Sequence, residues 1–444
     1  MNLLLINAIL YFGTTVYFYK KLGFTVYTFL WIEFAIIAFL GYYTFQVGIY
    51  EDTFGPKNPN ELRLLPYLYV FIGYLIAFEP FRKINPNLDT PIPYRKYTNT
   101  LINLYIIVMT AYLILKISEA VVSLTFGLAD VKEIKDIEGE SLFDYSDNFF
   151  LHRLNTVRWL FQIPLTPFIF AYCVQCWKQH KQTLKTIILL ALCFLPDVFS
   201  SLAVGGRAGI FTAFLNVVFF AVLYFRQIPA RVKKVGSIAI IGFLAIAAIS
   251  SLAITLDRWQ NAESPFEPIL RYFGEPFPNW GFNFYDKVIQ FTHGGYLFQE
   301  FVIDTEALGI YSMVDSQQYW EGVTGTPVLN FTTYWGGMYI EFGTIGAFLF
   351  VILYALIIKR LISPRLTVYN LCFLYFYFRQ MAVSFARLTG FTTISATVYS
   401  IVAMFLVSFF IKKLYFSDKS SESLQNRELT LVEGESIANT IEKE

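Results

Sequence analysis

Charge is what this chain lacks most. Only 15% of its 444 residues are Asp, Glu, Lys or Arg, whereas a soluble domain carries roughly 25%. The deficit argues against folding in water. Cysteine is scarce too. Cys173, Cys176, Cys193 and Cys372 all lie within apolar runs, so no disulfide framework is expected. The C-x-x-C formed by Cys173 and Cys176 reads as small apolar filler in a helix, not as a redox or metal motif. Three histidines, His152, His180 and His293, are too few for a histidine-rich metal site. A formal net charge of +1 argues against a nucleic-acid-binding surface. The first apolar stretch has no basic segment ahead of it. Lys20 and Lys21 follow it instead, the reverse of a cleavable signal peptide, so it is expected to be a retained first helix.

What the chain has in abundance is apolar length. It is 56% hydrophobic and 19% aromatic. Runs near the ~20 residues that a helix needs to cross about 30 Å of hydrocarbon recur from end to end. They are too long for barrel strands, and in lipid a helix satisfies its own backbone. The expectation is an all-α, polytopic transmembrane bundle. It has spans near 2–19, 23–46, 63–80, 99–125, 155–177, 186–203, 208–226, 235–256, 332–358, 366–386 and 393–412.

Basic residues set the expected orientation. They crowd one set of short loops, at Lys20–Lys21, Arg82–Lys83, Arg95–Lys96, Lys178–Lys185, Arg226–Lys234 and Lys359–Arg365. The alternate short loops hold only Lys57, Arg207 and Arg387. The basic set is assigned to the cytoplasm, which places the N-terminus outside. Residues 1–416 then form one transmembrane domain with two long outer loops, 126–154 and 257–331. The polar, acid-rich end, 417–444, is expected to be a disordered cytoplasmic tail. The 126–154 loop is acidic. The 257–331 loop is aromatic and carries Arg258, Arg271 and His293. A loop of that length is expected to be functional. It reads as a folded cap of short helices lying on the membrane, with aromatics at the interface.

The sharpest local feature is Ser200-Ser-Leu-Ala-Val-Gly-Gly-Arg-Ala-Gly209, a tight turn on the outer side. Its glycines permit close backbone approach. Arg207 beside the start of the next helix makes an anion site; the plainer reading is an arginine snorkelling to lipid phosphates. Charges inside the spans are expected to pair: Lys116 with Glu119 at i,i+3, and Asp197 with Arg379. Glu33 has no evident partner.

The Gly205-Gly-Arg-Ala-Gly209 turn resembles the Arg-centred outer turn of O-antigen polymerases, the Wzy-type oligosaccharide repeat-unit polymerases. A large outer loop follows one hairpin later, as in that family. Thr332-Thr-Tyr-Trp-Gly-Gly-Met-Tyr-Ile-Glu-Phe-Gly-Thr-Ile-Gly346 is similar to the family's Thr-aromatic segment running into a Phe-Gly-x-Ile-Gly helix start. The resemblance covers about residues 150–410, by topology more than identity. It implies a GT-C-like glycosyltransferase of the bacterial inner membrane, acting on its periplasmic face. The donor and acceptor would be undecaprenyl-diphosphate-linked oligosaccharides, with a chain-length regulator as a further partner. No cofactor or metal is expected.

On that reading arginines stabilise the charge of the departing diphosphate. The candidates are Arg207, Arg258, Arg271 and Arg387. Each taken singly also suits lipid headgroups. The acceptor hydroxyl needs a base or an orienting acceptor. His293 is the first candidate, with Glu275 and Glu341 as carboxylate alternatives. Glu341 falls just inside a span, which is costly unless it faces a cavity or a partner. Tyr272, Trp280 and Tyr334 are candidate platforms for sugar rings, although interface belts use the same residues. Two alternatives stay open: an O-antigen ligase, which shares the donor, and a flippase for lipid-linked sugars, which should show broken helices and polar groups at the midplane.

Overall fold

The structure is a computed structural model. It describes residues 2–84, 95–127, 131, 149–179, 184–204, 206, 208–234, 242, 267–296, 313–328, 333–362, 366–385 and 400–413. Among these the regular structure is helical, with no strand.

Apolar sequence and local capping define the first hairpin. Helix α1 (Leu3–Leu22) opens on Asn2, whose side chain accepts a hydrogen bond from the Leu4 amide. Helix α2 (Val26–Gln46) opens on a reciprocal capping box between Thr25 and Thr28. Thr15 Oγ1 donates to the Trp31 carbonyl at 2.8 Å across the seam. A short helix, α3 (Ile49–Phe54), leads to α4 (Leu64–Arg82), which packs on α2. A second group comprises α5 (Arg95–Phe126), α6 (Phe149–Lys178), α7 (Leu184–Leu202) and α8 (Ala208–Tyr224). Helices α5, α6 and α7 pack on one another, and α8 packs on α7.

Among the described residues seven helices are long and apolar enough to cross a membrane: α1, α2, α4, most of α5 and of α6, α7, and the helix at Thr333–Leu361. Their outward faces are apolar, with Ile107 66%, Ile114 63% and Leu184 72% exposed. A water-soluble surface would not carry so much contiguous hydrocarbon. A multi-pass membrane protein is the architecture these helices build. The remaining expected spans differ. The 208–226 span is a 17-residue helix, Ala208–Tyr224. The 366–386 span contains a 12-residue helix, Leu371–Ala382, and helix covers 400–413. The 235–256 span lies almost wholly outside the described residues, as do most of loop 126–154 and the tail 417–444.

Two segments correct the expected picture. The first is the aromatic stretch of the long loop. Helix α9 (Glu267–Gly274), a single turn at Pro276–Asn279 and a π-turn at Trp280–Phe284 follow one another, with Glu275 alone between the first two. They do not lie on the bundle as a cap. They pack against α2 and α4, and Pro276 to Trp280 are all buried. The Phe277 ring stands 5.2 Å from that of Tyr11, about 12 Å along α1 from its start at 1.5 Å per residue. The loop therefore re-enters the bundle. Irregular backbone at that depth persists because protein, not lipid, surrounds it.

After α10 (Met313–Thr324), the second segment is the long helix α11 (Thr333–Leu361), which is not one straight span. Gly343 interrupts it with φ 66° and ψ −172°. Trp335 and Phe348 would stand about 20 Å apart along an unbroken helix, yet their rings are 5.7 Å apart. Residues 333–342 and 344–361 are thus two arms of a hairpin turning at Gly343. The first arm is buried from Thr333 to Glu341. Helix α12 (Leu371–Ala382) packs on α2, α6, α8 and α11 and joins the two helix groups.

Candidate functional site

The basic ends of α1, α4 and α11 meet at one end of the bundle, where Arg82 and Lys359 line a common crevice with Phe18. The sequence-selected residues gather away from it.

The turn after α7 is built on side-chain and backbone contacts. Ser201 Oγ accepts from the Gly209 amide at 3.1 Å, and the Ser201 carbonyl accepts from the Gly206 amide at 2.8 Å. Gly209 lies so close to α7 that a Cβ there would stand 2.2 Å from the Asp197 carbonyl oxygen. Arg207 itself lies outside the described residues, as do Arg258 and Arg387.

Directly along α7 from this turn is a buried charged cluster. Arg158 on α6 donates through Nη2 to Asp197 Oδ1, through Nε to Gln162 and through Nη1 to the Tyr112 hydroxyl, each at 2.6 Å. Arg379 on α12 stands 3.8 Å from Asp197 Oδ2. Asp197 therefore has the expected Arg379 as a distant neighbour and Arg158, which the sequence reading passed over, as its hydrogen-bonded partner. Lys116 and Glu119 pair at 2.7 Å as expected. Among the described residues the Glu33 carboxylate has no hydrogen-bond partner. A desolvated ion pair is costly to break, so this polar core fixes α5, α6, α7 and α12 relative to one another.

The re-entrant segment reaches the same region. Phe273 lies 5.6 Å from Phe211, four residues after Arg207, and 5.5 Å from Phe385. Tyr272, half-buried, packs on Phe273 and Phe385. Arg271 is held by Glu267 at 2.6 Å and by Asp52 at 3.4 Å. Glu275 is 5% exposed and close to Tyr50. Burial, then Tyr67 and the Glu275 charge, push the Tyr50 phenol well above its usual range, so it remains protonated.

Glu341 and His293 are brought together. Glu341 is fully buried at the end of the first arm of α11. Its carboxylate accepts from Thr292 Oγ1 at 2.6 Å and from the Gly294 amide. The His293 amide donates to the Glu341 carbonyl at 3.1 Å. His293 has φ 49° and its side chain is exposed. The clasp presents the imidazole outward from a loop anchored on Glu341.

Two of the aromatic candidates are corrected. Trp280 is completely buried; its indole donates to the Pro66 carbonyl at 2.9 Å, and its ring packs on Tyr69, Tyr285 and Tyr339. Tyr334 is 1% exposed, with its amide on the Ser384 carbonyl. Neither ring presents a face to a sugar. Among the described residues no group of three His, Cys, Asp or Glu side chains stands together to hold a metal ion, and the four cysteines are free thiols.

No protein-family model, curated protein or solved structure matches this chain.

Proposed function

We propose that this protein is a membrane glycosyltransferase that polymerises lipid-linked oligosaccharide repeats at the outer face of a bacterial inner membrane. The observation that carries the reading is the packing of the long loop into the bundle beside the glycine–arginine turn, with Phe273 on Phe211. That contact puts the two features of the sequence resemblance in one neighbourhood. Arg207 would hold the donor diphosphate. As the glycosidic C–O bond to that diphosphate breaks, charge grows on the leaving oxygen, and a fixed guanidinium stabilises it. The acceptor hydroxyl oxygen forms the new C–O bond and its proton passes to a base. His293 is exposed for that role, with Glu341 fixing its loop. Glu275 and Arg271 are tied into the re-entrant segment and would act by holding its shape. Tyr272 remains the one aromatic candidate with an accessible edge.

One observation favours a second reading. The hairpin at Gly343 and the re-entrant segment are the broken elements expected of a transporter, here one for lipid-linked sugar. Deletion of the gene in a polysaccharide-producing host separates the readings. Single repeats on the carrier or core at the outer face are expected. Long polymer left unattached would indicate a ligase, and repeats trapped on the cytoplasmic leaflet would indicate the transporter. Within the polymerase reading, Arg207→Ala should lower the rate about 10²–10³-fold at unchanged protein level, with Arg207→Lys intermediate. Normal polymer from a well-expressed Arg207→Ala would reduce the turn to a turn.

A further inference from the structure

The buried polar cluster contains one cation with an unmatched donor. Arg158 is saturated by Gln162, Tyr112 and Asp197, and Lys116 is closed on Glu119. Arg379 is different. Its nearest carboxylate oxygen, Asp197 Oδ2, stands at 3.8 Å, too far for a hydrogen bond. Its Nη1 is buried without a hydrogen-bond partner, and so is Asp197 Oδ2. A buried donor and a buried acceptor, both unmatched and adjacent, are costly unless something satisfies them.

The surroundings of Arg379 show where that something would sit. Helix α12 is buried at every one of its twelve positions except Arg379. The helix is packed on α2, α6, α8 and α11, so the surface left to Arg379 faces the interior of the bundle. Its guanidinium lies 5.9 Å from the Tyr375 ring centre, which orients the planar fork. The cluster as described sets three cations, Lys116, Arg158 and Arg379, against two carboxylates, Glu119 and Asp197.

We infer that Arg379 and Asp197 form an anion site inside the bundle, selective for a hydrogen phosphate or phosphate monoester. The chemistry of the two free groups sets the class. Arg379 donates to phosphate oxygens, in the geometry guanidinium groups favour. Asp197 Oδ2 accepts, so the ligand must also carry an O–H. A phosphate retaining one proton has both. Sulfate, which carries no proton near neutral pH, offers only acceptors and faces the Asp197 charge. The site is separate from the proposed role of Arg207.

The test uses the full-length protein in phosphatidylcholine nanodiscs and follows thermal unfolding with inorganic phosphate, dodecyl phosphate or sulfate. Phosphate or its alkyl ester should raise the midpoint at concentrations where sulfate does not. Stabilisation by both phosphates identifies a free-anion site; stabilisation by dodecyl phosphate alone identifies a lipid-headgroup site. Arg379→Gln should lose the rise, and its midpoint without ligand should fall below the wild type's because it also gives up its contacts with Asp197 and Tyr375. If that variant does not fold, Arg379→Lys, which keeps the charge but not the fork, should bind at least several-fold more weakly. The site does not exist if no phosphate stabilises the wild type, if sulfate does so equally, or if an Arg379 variant keeps the full effect.

Discussion

A carboxylate with no exposed surface must be matched by donors, and Glu341 is matched by Thr292 and the Gly294 amide. Both donors reach the same oxygen, Oε2, which Glu341→Ala removes. The substitution should destabilise the protein by about 1–3 kcal/mol, read as a lower unfolding midpoint in detergent. An unchanged midpoint would mean that the clasp contributes nothing to the loop. Individually these residues were visible in the sequence: a carboxylate in an apolar run and a lone loop histidine. Their partnership was not, because it joins distant segments through backbone groups that carry no sequence signature. Trp280 and Tyr334 were misjudged for a related reason. An aromatic at an interface and one in a membrane-protein core have the same composition around them, and only their packing separates the two. Arg158 was missed although an arginine within an apolar run is itself a signal.

At the scale of elements, two features set the architecture. Gly343 adopts a positive φ that L side chains resist, so Gly343→Ala should cost about 1–2 kcal/mol, again measured as thermal stability. If the variant matches the wild type, the hairpin does not turn there. Phe277 tests the re-entrant segment. It is 1% exposed, so Phe277→Ala should cost about 3–5 kcal/mol. A residue on a surface cap would change stability by less than about 0.5 kcal/mol. Hydropathy reported the apolar length of residues 333–361 faithfully but was blind to reversal of direction, since both arms are equally apolar. The Phe342-Gly343 motif marked where the second arm begins without revealing that the first arm folds back on it. The loop's aromatics carried the same ambiguity: rings suited to the interface also suit burial against α2.

At the scale of the molecule, the run of long apolar helices was legible throughout, because length and hydropathy alone decide whether a helix can span. Among the described residues, the expected spans that are not long helices are those at Ala208–Tyr224 and Leu371–Ala382. Orientation rests on the one-sided basic loops. A reporter fused after Lys413 should be active in the cytoplasm; activity on the other side would invert the assignment of every outer residue. The hairpin at Gly343 also bears on how the protein is made. Its first arm, residues 333–342, is far shorter than the ~17–25 residues that partition into a membrane unaided. Its Trp335 ring fills the surface of α4 at Gly73, a helix synthesised long before it. Until the ribosome delivers that arm, α4 lacks the Trp335 ring that covers it at Gly73. Docking of this arm is thus a late event, followed by α12 and the helix at 400–413. In a nascent chain arrested before residue 333, a photoreactive side chain placed at Gly73 should cross-link to lipid.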